Sequence, residues 1–199
     1  MAGYLTEMAE EDPNYFTPGD AMYQAITGRA GKFREGKTHG KWARDAIRDL
    51  GGTGRGGGVR RLAEKMGVST STVRRWAKSK DKSLKGISPD RAEALKKAQR
   101  ETKIDKGHAQ GFRDSFKPGG GGGGGAGGSL TVTGIFVVSQ DERERTINLG
   151  HHLPGNAGDK LIQAYLDGGP EGARDMLNAL ISAHYVTGMY ITAINDIGW

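Results

Sequence analysis

Val59–Lys78, VRRLAEKMGVSTSTVRRWAK, is the stretch on which the reading of this chain turns. Leu62 and Met66 lie one helical turn apart and share a face. Ala63 is small, as two closely crossing helices require. Gly67 stands where the chain must turn sharply through a positive φ. Val68 fills the turn, Ser69 is placed to cap a second helix, and Val73 and Trp76 seat that helix on the first. The spacing predicts a helix-turn-helix over roughly residues 59–78. In such a pair the second helix enters the major groove with its N-terminal side chains at the base edges. The side chains left outward are Thr70, Ser71, Thr72, Arg74, Arg75 and Lys78. Arginine can bind guanine O6 and N7 together, and Ser or Thr can serve bases or phosphates. Arg60, Arg61 and Lys65, on the first helix, are better placed for phosphates. Short helical pairs that never touch DNA show a similar pattern.

The charge distribution surrounds this motif. Residues 1–28 carry a net −5, residues 29–118 a net +15 and residues 119–199 a net −4, within a formal total of +6. A polyanion would meet the middle of the chain and be repelled by both ends. The chain has no cysteine, which excludes disulfides and thiolate metal sites and is compatible with a reducing cytoplasm. The start, MAGYLTEMAEEDPNYF, is acidic and lacks the apolar run of a signal peptide. No stretch approaches the ~18 apolar residues of a membrane span. These features point to a soluble cytoplasmic protein with no membrane partner.

Working outward, residues 1–28 read as an acidic arm, disordered or loosely docked. Trp42, Ala46 and Leu50 recur at helical spacing, so Lys41–Leu50 is expected to be a helix. The glycine-rich Gly51–Gly58 ends it. That loop holds one arginine and either embraces a phosphate or serves as a spacer; it lacks the Gly-Lys-Ser/Thr ending of a nucleotide-binding loop. Ser88-Pro89-Asp90 starts a further helix running to Arg100, and residues 101–118 are polar and expected to fray. Residues 118–129, PGGGGGGGAGGS, cannot repay their backbone entropy by packing and read as a tether. Beyond it, Leu130–Val138 is β-branched and aromatic, hence a strand. Ser139–Glu144 reads as a turn and Arg145–Leu149 as a second strand. A helix over Ala157–Leu166 is stopped by Gly168-Gly169, another begins at Pro170, and Met189–Ile194 is a last strand. The expected fold class is therefore multi-domain: an all-α helix-turn-helix DNA-binding domain (29–117), joined by the glycine-rich tether (118–129) to a small α+β domain (130–199). So thin a core favours a homo-oligomer through 130–199, with 130–138 and 189–197 as the pairing edges.

The arrangement resembles the terminal proteins that cap linear actinobacterial replicons, the Streptomyces-type telomere proteins. The resemblance covers about two thirds of the chain. It lies in GVSTSTVRRWAK with the basic stretch and glycine junction after it, in ERTINLGHHLP, in the helical run through DMLNALISAHYV, and in the closing AINDIGW. The helix-turn-helix is common to many regulators; the His-Leu-Pro before two helices and a final strand is the more specific half. The long glycine run and the acidic arm depart from the family's pattern. The resemblance implies a protein that binds telomeric DNA of a linear plasmid or chromosome. It also implies priming of DNA replication, in which a side-chain hydroxyl attacks the α-phosphate of a deoxynucleotide held with Mg²⁺ by a polymerase. On that reading the partners are DNA, a DNA polymerase or a second telomere-binding protein, and no cofactor is needed beyond Mg²⁺ during priming. Ser139 matches the priming region, with Asp141 and Glu142 beside it to help hold the metal; Thr131, Thr133 and Thr146 are weaker candidates. Ser139-Gln-Asp-Glu is also what an ordinary solvated hairpin turn looks like.

No stand-alone enzyme is expected, because no nucleophile–base pair or paired carboxylate stands out. Nor is a resident metal: His151 and His152 would point to opposite faces of a strand, and His39, His108 and His184 lack neighbouring ligands. Two alternatives stay open. One is a transcriptional or plasmid regulator whose C-terminal domain dimerises. The other is a structural protein whose C-terminal sheets polymerise along DNA.

Overall fold

The computed structural model describes residues 3–54, 57–80, 86–117 and 128–199. It is a mixed helix and sheet fold, and the chain divides into two compact units. One is Arg34–Ile104. The other is discontinuous, combining Met1–Phe33 with Asp105–Trp199. This division departs from the boundaries expected from charge and composition. The glycine run falls at 118–127, outside the described residues, but the segments before and after it belong to the same unit.

The described residues of the 34–104 unit form four helices, α3 (His39–Asp49), α4 (Gly58–Met66), α5 (Thr70–Lys78) and α6 (Pro89–Glu101). Thr38 caps α3 by accepting from the Lys41 amide at 3.1 Å. The apolar stripe of α3 meets the other three helices in one cluster around Trp42, Ile47, Leu62, Val73, Trp76 and Leu95. Two helices approach at Gly40 so closely that a Cβ there would lie 1.9 Å from the Ser79 carbonyl oxygen. Arg44 crosses the same junction and donates to the Ala77 carbonyl at 2.5 Å, a cation on the exposed C-terminal carbonyls of α5. Two ion pairs pin α6 and the segment after it: Arg100 on Glu35 at 2.8 Å, and Lys103 on Asp49 at 3.2 Å.

In the other unit, residues 3–28 are ordered into helices rather than forming the disordered arm expected for 1–28. They contain α1 (Tyr4–Glu11) and α2 (Pro18–Thr27). Thr17 caps α2, with Pro18 in the first turn, and Ala21, Met22, Ala25 and Ile26 are all buried. Their i, i+1, i+4, i+5 spacing is an inward helical stripe inside acidic surroundings. Residues 101–118 do not simply fray: Asp105 caps α7 (Lys106–Asp114), and Phe112 and Phe116 are fully buried. The strands are β1 (Thr131–Val138), β2 (Asp141–Asn148) and β3 (Tyr190–Gly198), all antiparallel, in the order β2-β1-β3. A single turn of 3₁₀ helix, Leu149–His151, follows β2. α8 (Ala157–His184) is interrupted at Gly169, whose φ of 71° and ψ of −159° only glycine adopts readily, so the expected two helices share one interrupted element. α2 packs on α8 and β3, and α7 on α2 and α8. α1 lies over the sheet, where Ala9 meets Ile135 and Ala193. Among the described residues no helix is long and apolar enough to cross a membrane.

Sheet order corrects the expected edges. Residues 130–138 form the central strand and have no edge to offer. β3 is an edge, but Phe16 pairs with Ile194 on its outer side through two backbone hydrogen bonds of 2.8 and 3.0 Å. The remaining edge, β2, carries Arg143 and Arg145 on one face and Glu142 and Glu144 on the other.

Candidate nucleic-acid interface

The turn between α4 and α5 is built as its residues require. Gly67 takes φ +60°, ψ 36°; its amide donates to the Glu64 carbonyl, and the Val68 amide to the Ala63 carbonyl at 3.0 Å. This pair of bonds closes α4 with a left-handed residue that a side chain would strain. Ser69 then accepts from the Thr72 amide at 3.2 Å and starts α5. Val73 is fully buried and Trp76 nearly so, which fixes the rotation of α5.

That rotation decides which side chains face outward. Arg74, Arg75 and Lys78 are exposed, and among the described residues none of them makes an ion pair or side-chain hydrogen bond. Lys80, two residues past the helix, is exposed in the same way and extends the run of unengaged cations; its position outside the helical pattern hides it from a reading of the motif. Ser71 is exposed and bonds Ser69 at 2.8 Å, whereas Thr70 and Thr72 are half-buried, Thr72 lying 3.0 Å from the Ser69 hydroxyl. The Ser71 and Thr72 hydroxyls thus engage the capping Ser69, and arginine and lysine are the longest outward-reaching groups.

The cations of α4 are differently placed. Arg60 pairs with Glu64 at 2.8 Å, Arg61 donates to the Leu50 carbonyl at 3.1 Å, and Lys65 pairs with Glu101 at 2.6 Å. Each has an intramolecular partner that a phosphate would have to displace or share. The described part of the glycine-rich loop acts as a spacer: the Gly52 amide donates to Ile47 and the Gly58 amide to Gly52, and a Cβ at Gly58 would lie 2.2 Å from the Ile47 oxygen.

No family model, curated protein or solved structure matches this chain. The functional reading therefore rests on the geometry and on the residues themselves.

In the other unit, Ser139 is exposed in a two-residue hairpin turn, and among the described residues it is the non-glycine with a positive φ, 57°. The carboxylates beside it do not share one side. Asp141 and Glu142 alternate across the strand. Asp141 pairs with Arg143 at 2.8 Å. Glu142 receives the amides of Gly3, Leu5 and Thr6 at 3.1, 2.8 and 3.2 Å and the Thr6 hydroxyl at 2.5 Å. It is the N-terminal anchor of α1 rather than a metal ligand beside Ser139. Thr133 and Thr146 bond each other at 2.9 Å, and Thr131 bonds the Ser129 carbonyl at 3.3 Å. His151 and His152 lie in and just after the 3₁₀ turn, not on a strand, and the His152 ring packs on Tyr185 at 4.4 Å.

The Glu142 anchor makes a pH prediction. The Thr6 hydroxyl, and after it the backbone amides, hold the Glu142 carboxyl below the ordinary carboxylate range. Its stabilisation is therefore fully present above the unfolded value of about 4.3 and is lost as pH falls through the lower folded value. Amide exchange in residues 4–11 will accelerate, relative to exchange in β1, as the pH falls below about 4.3. In Glu142→Gln the α1 amides will exchange faster already at neutral pH, with a flatter acid response. Parallel behaviour of α1 and β1 in both proteins would mean that Glu142 does not hold the helix.

Proposed function

We propose that the 34–104 unit is a sequence-reading DNA-binding module, with α5 in the major groove and Arg74 and Arg75 at the bases. The observation that carries this reading is the row of unengaged cations on the solvent face of α5, whose opposite face is locked by Val73 and Trp76. A helix that is merely structural has no need of three exposed cations without partners, next to an α4 whose own cations are paired. Lys78 and Lys80 suit phosphates, and Arg60, Arg61 and Lys65 can add to them by exchanging their internal partners for phosphate oxygens.

A preferred duplex selected from a random pool, and an unrelated duplex, provide the test. About five phosphate contacts give a log–log salt slope near −4 to −5 on either duplex. Arg74→Ala or Arg75→Ala is expected to cost about 1–3 kcal/mol on the preferred site and to relax discrimination there. Equal weakening on both duplexes would reassign that arginine to phosphate positioning, and a salt slope near zero would refute the interface.

A role as a telomere terminal protein goes further, resting on the resemblance and on one observation, the exposed hydroxyl of Ser139 at the hairpin tip. In that role the Ser139 oxygen bonds the α-phosphate of a deoxynucleotide with release of pyrophosphate, and DNA polymerase supplies the metal ions. Incubation with labelled deoxynucleotide, Mg²⁺ and an actinobacterial polymerase extract will leave label on the protein through denaturing electrophoresis, and Ser139→Ala will remove it. DNA binding without label transfer would favour the regulator.

A further inference from the structure

A cleft of about 210 Å³ opens between α2 and the end of β3, within the discontinuous unit. Ala25 and Ile194 are buried in its floor, and Phe16 and Trp199 contribute aromatic faces. Trp199 is held from behind, with His108 edge-on at 5.0 Å and Phe112 at 5.6 Å. The His108 ring is itself fixed by its Nε2–H donating to the Ala25 carbonyl at 2.9 Å. The indole nevertheless remains 40% exposed. It is a positioned aromatic ring with one open side, the arrangement on which a flat ligand stacks.

Two polar groups in the same cleft have unanswered hydrogen-bonding capacity. Gln24 Nε2 is buried and has no hydrogen-bond partner, a condition that native structures keep rare. Rotation about the last torsion of the side chain, which is soft, turns that donor toward a ligand. Asp196 is exposed, and among the described residues its carboxylate makes no ion pair or hydrogen bond. The first group lacks an acceptor, and the second is an open acceptor for a ligand's donors. A guanine edge presents both, a carbonyl oxygen beside two N–H groups, and its ring supplies the flat face for Trp199. Adenine offers the carboxylate a single amino group, and cytosine offers less surface to stack.

We infer that this cleft binds a guanine base, either as a free nucleotide or unpaired within a single strand. Of the three tryptophans, Trp42 and Trp76 are 3% and 2% exposed, so acrylamide quenching of the full chain reads Trp199. The probes are GMP, AMP and CMP, with a single-stranded oligonucleotide carrying one guanine and its guanine-free counterpart. Saturable shielding by GMP, with AMP and CMP at least about tenfold weaker, supports the proposal with free nucleotide as the source. Shielding by the guanine-bearing strand alone supports it with an unpaired base as the source. Gln24→Leu and Asp196→Asn should each weaken that binding about tenfold or more. Gln24→Leu should leave the melting temperature unchanged or higher, because leucine removes the unpaired donor. Shielding by none of the probes, equal shielding by all of them, or unaltered binding in both variants would overturn the assignment. Duplex binding by Arg74 and Arg75 is measured separately and does not bear on this outcome.

Discussion

A fragment covering residues 129–199 will not fold by itself. The three strands and α8 lie within it, but much of what they pack against comes from elsewhere in the sequence. Met22, Tyr23 and Ile26 on α2, and Phe112 and Phe116 on and just after α7, are all at most 6% exposed in the same unit. Fully burying a side chain of this size contributes about 1.5–3 kcal/mol, so these five together rival the roughly 5–15 kcal/mol that separates a whole native domain from its unfolded chain. Removing them also opens the apolar faces of α8 and β3. Circular dichroism of the fragment should show no cooperative melt, and its proton spectrum should lack dispersion, while the full chain shows both. A sharp melt from the fragment would restore the glycine run as a true domain boundary. The complementary fragment, 34–104, keeps its entire cluster and should melt cooperatively.

Trp76→Ala carries the other large effect. Trp76 is 2% exposed and shares one cluster with Leu62, Val73 and Leu95. Truncating a buried tryptophan costs about 3–5 kcal/mol through lost burial and the cavity left behind. In a unit of only four described helices this is most of the stability, so the melting transition of 34–104 should fall sharply or disappear. No member of the cluster belongs to the other unit, and that unit's transition should stay within about 0.5 kcal/mol of its original stability. Duplex affinity should fall with the folded fraction, and added DNA should recover part of the lost stability by mass action. A variant that melts like the parent yet no longer binds duplex would show that Trp76 acts at the interface rather than in the core.

The two units differ in how much of them can be read from the chain. The helical pair over 59–78 was legible because its demands are local: a left-handed glycine, a capping serine and an inward stripe all fall within twenty residues of sequence. The first hairpin strand and the break at Gly169 were legible for the same reason, but the polar residues 141–144, expected in a turn over 139–144, belong to β2, and the turn is only residues 139–140. The N-terminal helices were not legible, because the charge of Glu7, Glu10, Glu11 and Asp12 masked the stripe of Ala21, Met22, Ala25 and Ile26 that follows. α7 was hidden in the same way: Lys106, His108 and Arg113 gave a polar composition, while Ala109, Phe112 and Phe116 kept helical spacing. Strand order, and so the identity of the sheet edges, is set by packing between distant segments and leaves no local mark. Of the interface, the outward Arg74, Arg75 and Lys78 were readable from helical phase. The engagement of Arg60, Arg61 and Lys65 by Glu64, Leu50 and Glu101 was not, since two of the three partners come from other helices or their ends.

Because one unit combines residues 1–33 with 105–199 and the other lies between these segments in sequence, the order of synthesis imposes an order of folding. As the polypeptide leaves the ribosome, residues 34–104 are complete long before β3 exists, and they can close their core while translation continues. Over that interval α2 has left the exit tunnel with its apolar stripe unmatched, waiting for α7, α8 and the final strand. The nascent chain is therefore exposed to misassociation at α2, and chaperone dependence in the cell would trace to that helix rather than to the glycine run.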